Sequence, residues 1–314
     1  MIQILHGDAL EKIKLLKDKS IDCIVTSPPY WQLRDYGVTG QLGLEDTVEE
    51  YIEKLIEIFN ECWRVLKETG TVFINMGDTY SNVNSKFISG SNNKNYYIDN
   101  QKAKTRRKSD IRRKSKMMIP ERFAIAMIER GWILRNEIIW HKPNVVPEAV
   151  QDRFTNDFEK IYFFTKNEKY FFEKQYEAFS EKTLTAFKDG IMPTGKKKML
   201  GAGESRTGMR EVNKPWKAVY NEKGRNMRTV WKIATKGIPE AHFATFPEEL
   251  VKRCLLSGCP ENGIVLDLFL GSGTTLKVAK RLNRNGIGIE LNQEYIQIAK
   301  KRIENDLFNE VQIK

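Results

Sequence analysis

The residue types best suited to binding a ligand cluster at a glycine turn within residues 265–276. Apolar residues crowd positions 264–270, which is typical of a strand buried on both faces of a parallel sheet. Gly271 and Gly273 then allow a tight turn and a close approach of the backbone to a ligand. The apolar spacing of 274–282 predicts a helix, so the turn would aim backbone N–H groups at a ligand above the strand.

Two acids accompany this turn, Asp267 at the end of the first strand and Glu290 at the end of a second predicted strand, 286–290. Leu276 stands where a dinucleotide site would have its third glycine, which disfavours a pyrophosphate ligand. An acid at the end of the second strand can bind ribose hydroxyls, and Asp267 can hold an ammonium group. S-adenosylmethionine carries both groups and is the predicted cofactor. The alternative is a glycine turn of some other α/β protein in which the acids only cap the backbone.

A second chemical stretch, Thr26–Trp31, follows a short apolar strand at 21–25. Its two consecutive prolines stiffen the loop and donate no N–H, so the loop carbonyls are free to accept hydrogen bonds. Tyr30 and Trp31 place aromatic faces beside those acceptors. A flat ring that carries an amino group would stack there and donate to Ser27 Oγ and a proline carbonyl, as in a pocket for a flipped base. The alternative is a rigid turn whose aromatic residues pack into the core.

Strands and helices alternate along most of the chain, which predicts an α/β fold with a doubly wound, mostly parallel sheet. Strands are predicted at 2–5, 21–25, 71–75, 132–140, 158–166, 264–270 and 286–290, and the main helices at 47–66, 120–131, 246–257, 274–282 and 292–304. Ligands bind such sheets at the carboxyl ends of the strands. We therefore expect the Thr26–Tyr30 loop and the glycine turn to share one edge of the sheet.

The net charge of +11 is concentrated in one segment, 102–116, which holds nine basic residues and one acid and so accounts for eight of the eleven charges. Such a patch suggests contact with a polyanion, the alternative being a solvated loop without a partner. The predicted DNA-binding residues are Lys102, Lys104, Arg106, Arg107, Lys108, Arg112, Arg113, Lys114 and Lys116. Because 81–116 has little to bury, we expect it to be an exposed, mobile insert.

Composition excludes several classes of protein. The four cysteines form no CxxC pair, which disfavours a disulfide framework or a zinc site. We therefore expect no metal site. No apolar run is long enough to span a membrane, and the first residues do not resemble a signal peptide, so we expect a cytoplasmic location.

Taken together, these motifs resemble those of the permuted β class of amino-group DNA methyltransferases, in which the catalytic motif precedes the cofactor motif. The stretch 24–30 (IVTSPPY) resembles the catalytic signature and 267–275 (DLFLGSGTT) the cofactor signature. Five further stretches match in order, at 7–8, 77–80, 140–144, 241–247 and 288–292.

The resemblance implies a role for each matching position. Ser27, Pro28, Pro29 and Tyr30 would grip the flipped base. The implied cofactor contacts are Asp8, Phe246, Asp267, Phe269, Gly271, Ser272, Gly273, Thr274, Thr275 and Glu290. Residues 1–171 and 228–314 would form the catalytic domain, and 172–227 would be the target-recognition region.

The chemistry implied by these residues is direct methyl transfer to an exocyclic nitrogen. The chain has no Pro-Cys dipeptide, so C5-cytosine methylation lacks its cysteine nucleophile. Ser27 Oγ and the Pro28 carbonyl would instead favour the charge that grows on the nitrogen. In the family that the chain resembles, serine in the first position of the catalytic motif favours N4 of cytosine as the target, with N6 of adenine as the alternative.

Two other interpretations stay open from the sequence alone: an RNA methyltransferase and a nucleic-acid-binding protein without catalysis. Phosphate contacts by the basic segment carry no base information and do not separate DNA from RNA. The resemblance implies double-stranded DNA as the substrate and a restriction–modification setting with a cognate restriction endonuclease.

Overall fold

The computed structural model describes residues 1–81, 111–181, 223–235 and 246–304, together with the backbone of two short strands at 88–89 and 312–313. Its helices are α1 (Ala9–Ile13), α2 (Val48–Val65), α3 (Ile119–Glu129), α4 (Glu248–Gly258), α5 (Thr274–Arg281) and α6 (Gln293–Glu304). Its strands are β1 (Ile2–His6), β2 (Ile21–Thr26), β3 (Arg34–Asp35), β4 (Leu66–Met76), β5 (Ile88–Ser89), β6 (Ile133–His141), β7 (Phe158–Thr165), β8 (Tyr176–Glu177), β9 (Arg225–Asn226), β10 (Val230–Lys232), β11 (Ile264–Asp267), β12 (Asn285–Glu290) and β13 (Gln312–Ile313).

A sheet of nine described strands organises the larger part of the molecule, in the order β10-β6-β7-β4-β2-β11-β12-β1-β13. Every neighbouring pair is parallel except those that involve β7, which runs antiparallel to β4 and β6. All six residues of β2 are buried at the centre of the sheet, as expected for a strand covered on both faces. The doubly wound, mostly parallel α/β fold is therefore confirmed.

Strand direction places both sequence motifs at one edge of the sheet. In the parallel register Asp267 of β11 pairs with Gly288 of β12, and His6 of β1 pairs with Glu290. Thr26 of β2 pairs with Ile74 of β4. The carboxyl ends of β1, β2, β4, β11 and β12 therefore meet along one edge, as the alternation of elements predicted.

Local sequence explains why the helices begin where they do and which face they bury. A capping box is present at the start of α2, where Thr47 and Glu50 bond each other's backbone N–H groups. The buried face of α2 packs into the main core with Phe59, which contacts Phe123 of α3 edge to face at 5.2 Å between ring centroids. The helix ends at Val65, and β4 follows directly at Leu66, so this strand is longer than the predicted 71–75.

Both described ends of the 81–116 insert are held by backbone hydrogen bonds. Tyr80 forms an isolated antiparallel bridge with Lys116, and Ser81 N donates to Ser115 O at 2.7 Å. The expectation of a mobile insert over all of 81–116 is therefore wrong at Ser81 and at 111–116, because backbone bonding there replaces the missing apolar core. Apart from β5, residues 82–110 lie outside the described residues.

The chain divides into two compact units, 1–173 with 229–314, and 174–228. In the smaller unit β8 and β9 pair antiparallel, and Glu177 forms ion pairs with Arg225 and Arg228. The target-recognition role of 172–227 stays a prediction, since 182–222 lie outside the described residues. Among the helices in the described part of the chain, none combines the length and apolar character needed to span a bilayer.

Candidate active site

A cavity of about 640 Å³ opens at the carboxyl edge of the sheet, entirely within the larger unit. Both motifs contribute to its wall, which confirms that the topology brings them together. Predicted site residues that line it are Asp8, Ser27, Pro28, Pro29, Tyr30, Phe246, Phe269, Gly271, Ser272, Thr274 and Glu290. The other three predicted cofactor residues, Asp267, Gly273 and Thr275, are not among its lining residues.

The glycine turn is built by backbone conformations that favour glycine. Gly271 has φ +53° and Gly273 has φ +85°, and Gly273 is the N-cap of α5. A Cβ on Gly273 would lie 2.8 Å from the Cβ of Ala299 in α6, so this turn packs directly on that helix. Arg302 of α6 holds the turn from outside, since its Nη1 donates to both Ser272 O and Ser272 Oγ at 2.5 Å.

Glu290 presents a carboxylate to the cavity while remaining fixed by the backbone. Its Oε2 accepts from Gly271 N at 2.7 Å and its Oε1 accepts from Asn292 N at 2.8 Å. Burial raises the pKa of Glu290 above its ordinary value, and the two backbone hydrogen bonds oppose that rise. Each oxygen still has a lone pair for a ligand hydroxyl, which suits the predicted ribose contact.

Asp267, the acid predicted to hold an ammonium group, is not among the lining residues of the cavity. Its side chain is buried, and it accepts from Thr26 Oγ1 at 2.8 Å, from Thr275 Oγ1 at 2.6 Å and from Phe269 N at 3.1 Å. Burial raises its pKa to about 6, and these hydrogen bonds oppose the rise. Asp267 thus joins the end of β2 to the cofactor turn, and the ammonium contact stays a prediction.

The proline loop contributes Ser27, Pro28, Pro29 and Tyr30 to the cavity wall. The Pro29 carbonyl accepts from the Tyr51 hydroxyl at 2.8 Å, and the Pro28 carbonyl stays the predicted acceptor for a base. The expectation that Trp31 also offers a face there is wrong. Trp31 is buried in the core and donates from Nε1 to Glu45 O at 3.0 Å.

A polar network that the sequence did not indicate surrounds Tyr30. The Tyr30 hydroxyl donates to Glu159 Oε2 at 2.7 Å, and Asn75 Nδ2 donates to both of them at 2.8 Å. Lys142 donates to Glu159 Oε1, and its Nζ lies 4.4 Å from the ring centroid of Trp140. All five residues line the cavity, so the wall beside the proline loop is charged and hydrogen-bonded.

The electrostatics of this network are dominated by burial. The pKa of Tyr30 is raised well above its ordinary value, first by burial and then by the negative charge of Glu159, whereas a side-chain hydrogen bond from Ser27 opposes the rise. Asn75 is 4% exposed, and its Oδ1 has no hydrogen-bond partner among the described residues. A buried amide oxygen without a partner costs stability and is a natural acceptor for a ligand donor.

The cofactor end of the cavity fits S-adenosylmethionine by the chemistry of its wall. Glu290 offers acceptors for ribose hydroxyls. The space beside Gly271 is open, since a Cβ added to this residue would meet no atom within 4 Å. Tyr36 and Tyr295, which the sequence did not indicate, line the same region with ring centroids 6.2 Å apart. Aromatic walls beside an acid suit a nucleoside. Asp8 is the N-cap of α1 and also lines the cavity.

The predicted DNA-binding residues divide into three groups. Lys102, Lys104, Arg106, Arg107 and Lys108 lie outside the described residues. Arg112 and Arg113 are exposed on the segment that is paired with 79–81, beyond the carboxyl end of β4. Lys114 is exposed but paired with Asp152, while Lys116 lies 3.9 Å from Asp78 and over the Phe158 ring. The two arginines are therefore better placed than the two lysines to meet a phosphate.

Comparison with known proteins identifies the family. Residues 21–301 match the DNA methylase family of N6 and N4 methyltransferases. The chain is 36% identical over 321 residues to the type II methyltransferase M.Cfr9I of Citrobacter freundii, covering 99% of this chain and 90% of the relative. It is 37% identical over 308 residues to the type II methyltransferase M.SmaI of Serratia marcescens, covering 96% and 90%.

Solved structures share the fold at lower identity. A DNA modification methylase from Thermus thermophilus complexed with S-adenosyl-L-methionine gives a TM-score of 0.61 at 22% identity, covering 100% of this chain and 98% of the other. The PvuII DNA methyltransferase, which is cytosine-N4-specific, gives 0.62 at 17% identity, covering 98% and 94%. With the family match spanning most of its length, the chain belongs to the N6/N4 family of S-adenosylmethionine-dependent DNA methyltransferases, alongside type II restriction–modification enzymes.

Proposed function

We propose that this enzyme methylates the exocyclic N4 of cytosine in a specific DNA sequence. The observation that carries the choice of base is Ser27, which occupies the first position of the catalytic loop and lines the cavity. A serine hydroxyl is a small acceptor and donor, and it leaves room for a pyrimidine close to the loop. N6 of adenine is the alternative target, because both bases present an amino group to the same acceptors.

The proposed reaction places the target base against the proline loop, out of the DNA stack. Bound S-adenosylmethionine supplies a methyl group on a positively charged sulfur. Ser27 Oγ and the Pro28 carbonyl accept from the base amino group, which turns the nitrogen lone pair out of conjugation and stabilises the charge growing on nitrogen. The remaining contribution is alignment of the base by Tyr30 and the charged wall.

The cofactor-binding proposal follows the geometry of the other end of the cavity. Glu290 accepts from ribose hydroxyls, the backbone at Gly271 and Ser272 faces the methionine part, and Phe246, Phe269 and Asp8 complete the wall. The buried position of Asp267 supports a role in fixing the turn against β2, with its charge acting on the ammonium group from behind the Thr26 and Thr275 hydroxyls.

The biological setting we propose is protection of DNA against a cognate restriction endonuclease, which fits the type II methyltransferases to which the chain is similar. Residues 172–227 would read the target sequence, and the basic segment would hold the phosphate backbone. The cytoplasm is the proposed location, since both substrate and cofactor are found there.

Nucleoside analysis tests the choice of base directly. The chain is expressed in a host without DNA methylation, and the DNA is examined by mass spectrometry of nucleosides and by long-read sequencing. We expect N4-methylcytosine within one short sequence motif. N6-methyladenine alone would contradict the cytosine assignment while leaving the family unchanged. If the protein is folded and the DNA stays unmodified, the result would contradict the proposal that this chain methylates DNA without a partner.

A further inference from the structure

A chain of hydrogen-bonding groups leads from the catalytic loop to a carboxylate that no motif of the sequence indicated. Ser27 and Tyr30 belong to the same loop, and the Tyr30 hydroxyl donates to Glu159 Oε2 at 2.7 Å. Ser27, Tyr30 and Glu159 all line the cavity. We propose that Glu159 is the final acceptor of the proton that the target amino group loses on methylation, reached through Ser27 and Tyr30.

The need for such an acceptor follows from the balance of the reaction. The nitrogen lone pair forms the new N–CH3 bond as the bond between the methyl carbon and the donor sulfur breaks and leaves its electron pair on sulfur. The nitrogen then carries the methyl group, two hydrogens and a formal positive charge. One N–H bond then breaks and its electron pair stays on nitrogen, while Ser27 Oγ takes the proton and passes its own to Tyr30 Oη. Tyr30 passes its own proton to Glu159 Oε2. Ser27 and Tyr30 end neutral, and Glu159 ends as a neutral acid.

The properties of Tyr30 require a concerted transfer of this kind. Burial and the charge of Glu159 disfavour a tyrosinate, so Tyr30 cannot act as the resting base. It can exchange one proton for another without becoming charged. The exocyclic ammonium is itself strongly acidic, because losing a proton restores conjugation with the ring, so a carboxylate is a sufficient acceptor.

The surroundings of Glu159 suit an ionised acceptor. Lys142 donates to its Oε1, and Asn75 Nδ2 donates to its Oε2 at 2.8 Å, so both oxygens are stabilised as a carboxylate before the reaction. The Glu159 side chain is 16% exposed, which shields the relay from bulk water. Two other carboxylates of the wall have different partners: Glu290 is bonded to the cofactor turn, and Glu45 is bonded to Lys54 and Gly43 N.

Asn75 orients the relay rather than carrying the proton. Its Nδ2 donates to both the Tyr30 hydroxyl and Glu159, which leaves the Tyr30 hydrogen directed at the carboxylate. A reversed amide would bring Oδ1 against the carboxylate oxygen, so Glu159 also determines which end of Asn75 faces Tyr30. The packing of Tyr30 against Gly77, where a Cβ would lie 2.4 Å from Tyr30 Cε2, fixes the ring in this position.

The decisive variant is Glu159→Gln in the full chain, which keeps the shape of the side chain and removes the proton acceptor. The matched control is Glu121→Gln, which removes a partly buried carboxylate from the ion pair with Lys160, the next residue of β7. We expect Glu159→Gln to lower the single-turnover methylation rate about 100-fold. Cofactor affinity by calorimetry, DNA affinity, and 2-aminopurine fluorescence at the target site should be unchanged, and the control should match wild type.

Two further readouts separate proton transfer from a structural role. Tyr30→Phe keeps the stacking face and cuts the relay, so the double variant with Glu159→Gln should be no slower than either single variant. Glu159→Ala should regain rate with added formate, a small carboxylate. Three outcomes would each overturn the relay. The first is additive losses of rate in the double variant, and the second is a wild-type rate in Glu159→Gln. The third is a fall in DNA binding and base extrusion as large as the fall in rate. If Glu159→Gln does not fold, Tyr30→Phe at the wild-type rate overturns it alone.

This inference rests on methyl transfer to a base amino group, whichever base is modified. A wild-type enzyme that transfers no methyl group to DNA would refute the proposed function. A wild-type enzyme that methylates DNA at the same rate as Glu159→Gln would refute the relay and leave the proposed function intact.

Discussion

A single buried acid, Asp267, ties together the two halves of the site. Its oxygens accept from Thr26 at the end of β2 and from Thr275 at the start of α5, so the catalytic loop and the cofactor turn share one anchor. The cost of this arrangement is a charge inside the core, since burial raises the pKa of Asp267 to about 6. Hydroxyl donors lower that cost without removing it.

The raised pKa of Asp267 predicts a loss of stability as the pH rises. The carboxyl binds its proton more tightly in the folded state than in the unfolded chain, where the ordinary value of 3.8 applies. Stability from this group is therefore present at low pH and is lost as the pH rises through about 6. Between pH 5 and 7.5 the loss is about 1 kcal/mol. Urea unfolding of the cofactor-free enzyme at both pH values, with Asp267→Asn as the comparison, measures it. Equal pH dependence of the two proteins would contradict the assignment.

At the scale of elements, the turn between β11 and α5 depends on its contact with α6. Gly273→Ala would impose a left-handed conformation on a residue with a Cβ and bring that Cβ within 2.8 Å of Ala299. We expect a loss of about 2–4 kcal/mol from strain and overpacking together, with weaker binding of S-adenosylmethionine.

Gly271→Ala is the matched control for this prediction. Gly271 also has a positive φ, but a Cβ there meets no atom within 4 Å, so it adds backbone strain without a clash. Urea unfolding should therefore rank Gly273→Ala as the less stable variant, and calorimetric titration should show the effect on the cofactor. Equal stability of the two variants would mean that the packing of the turn on α6 contributes little.

The elements also explain which parts of the site could be predicted from sequence. Ser27 and Gly271 come after parallel strands and Glu290 ends one, so motifs at strand ends predicted that these residues lie together in the cavity wall. Glu159 was missed because β7 is antiparallel, and its first residues therefore lie at the edge where the other strands end. Trp31 was misjudged because local sequence does not show that the next side chain after Tyr30 turns into the core.

At the scale of the whole molecule, the uneven charge is the main guide to how DNA is held. Most of the net charge of +11 lies in 102–116, and the described end of that segment is fastened beside the carboxyl end of β4 by backbone bonds between 79–81 and 114–117. The basic segment therefore emerges at the edge that carries the cavity. The basic segment therefore differs from the other surface lysines in its position beside the cavity as well as in its charge.

Replacing Arg112 and Arg113 by Gln should accordingly weaken DNA binding without changing the modified sequence. Both side chains are exposed, and contacts to phosphates add affinity that is independent of base sequence. The slope of log Kd against log salt concentration should fall in magnitude by about 1–2, measured by anisotropy on cognate and unrelated duplexes. The matched control replaces Lys17 and Lys19, which are exposed just before β2 and so lie at the opposite edge of the sheet. Loss of affinity for the cognate duplex alone would show that these arginines read bases, and an equal effect of the control would show that only total charge matters.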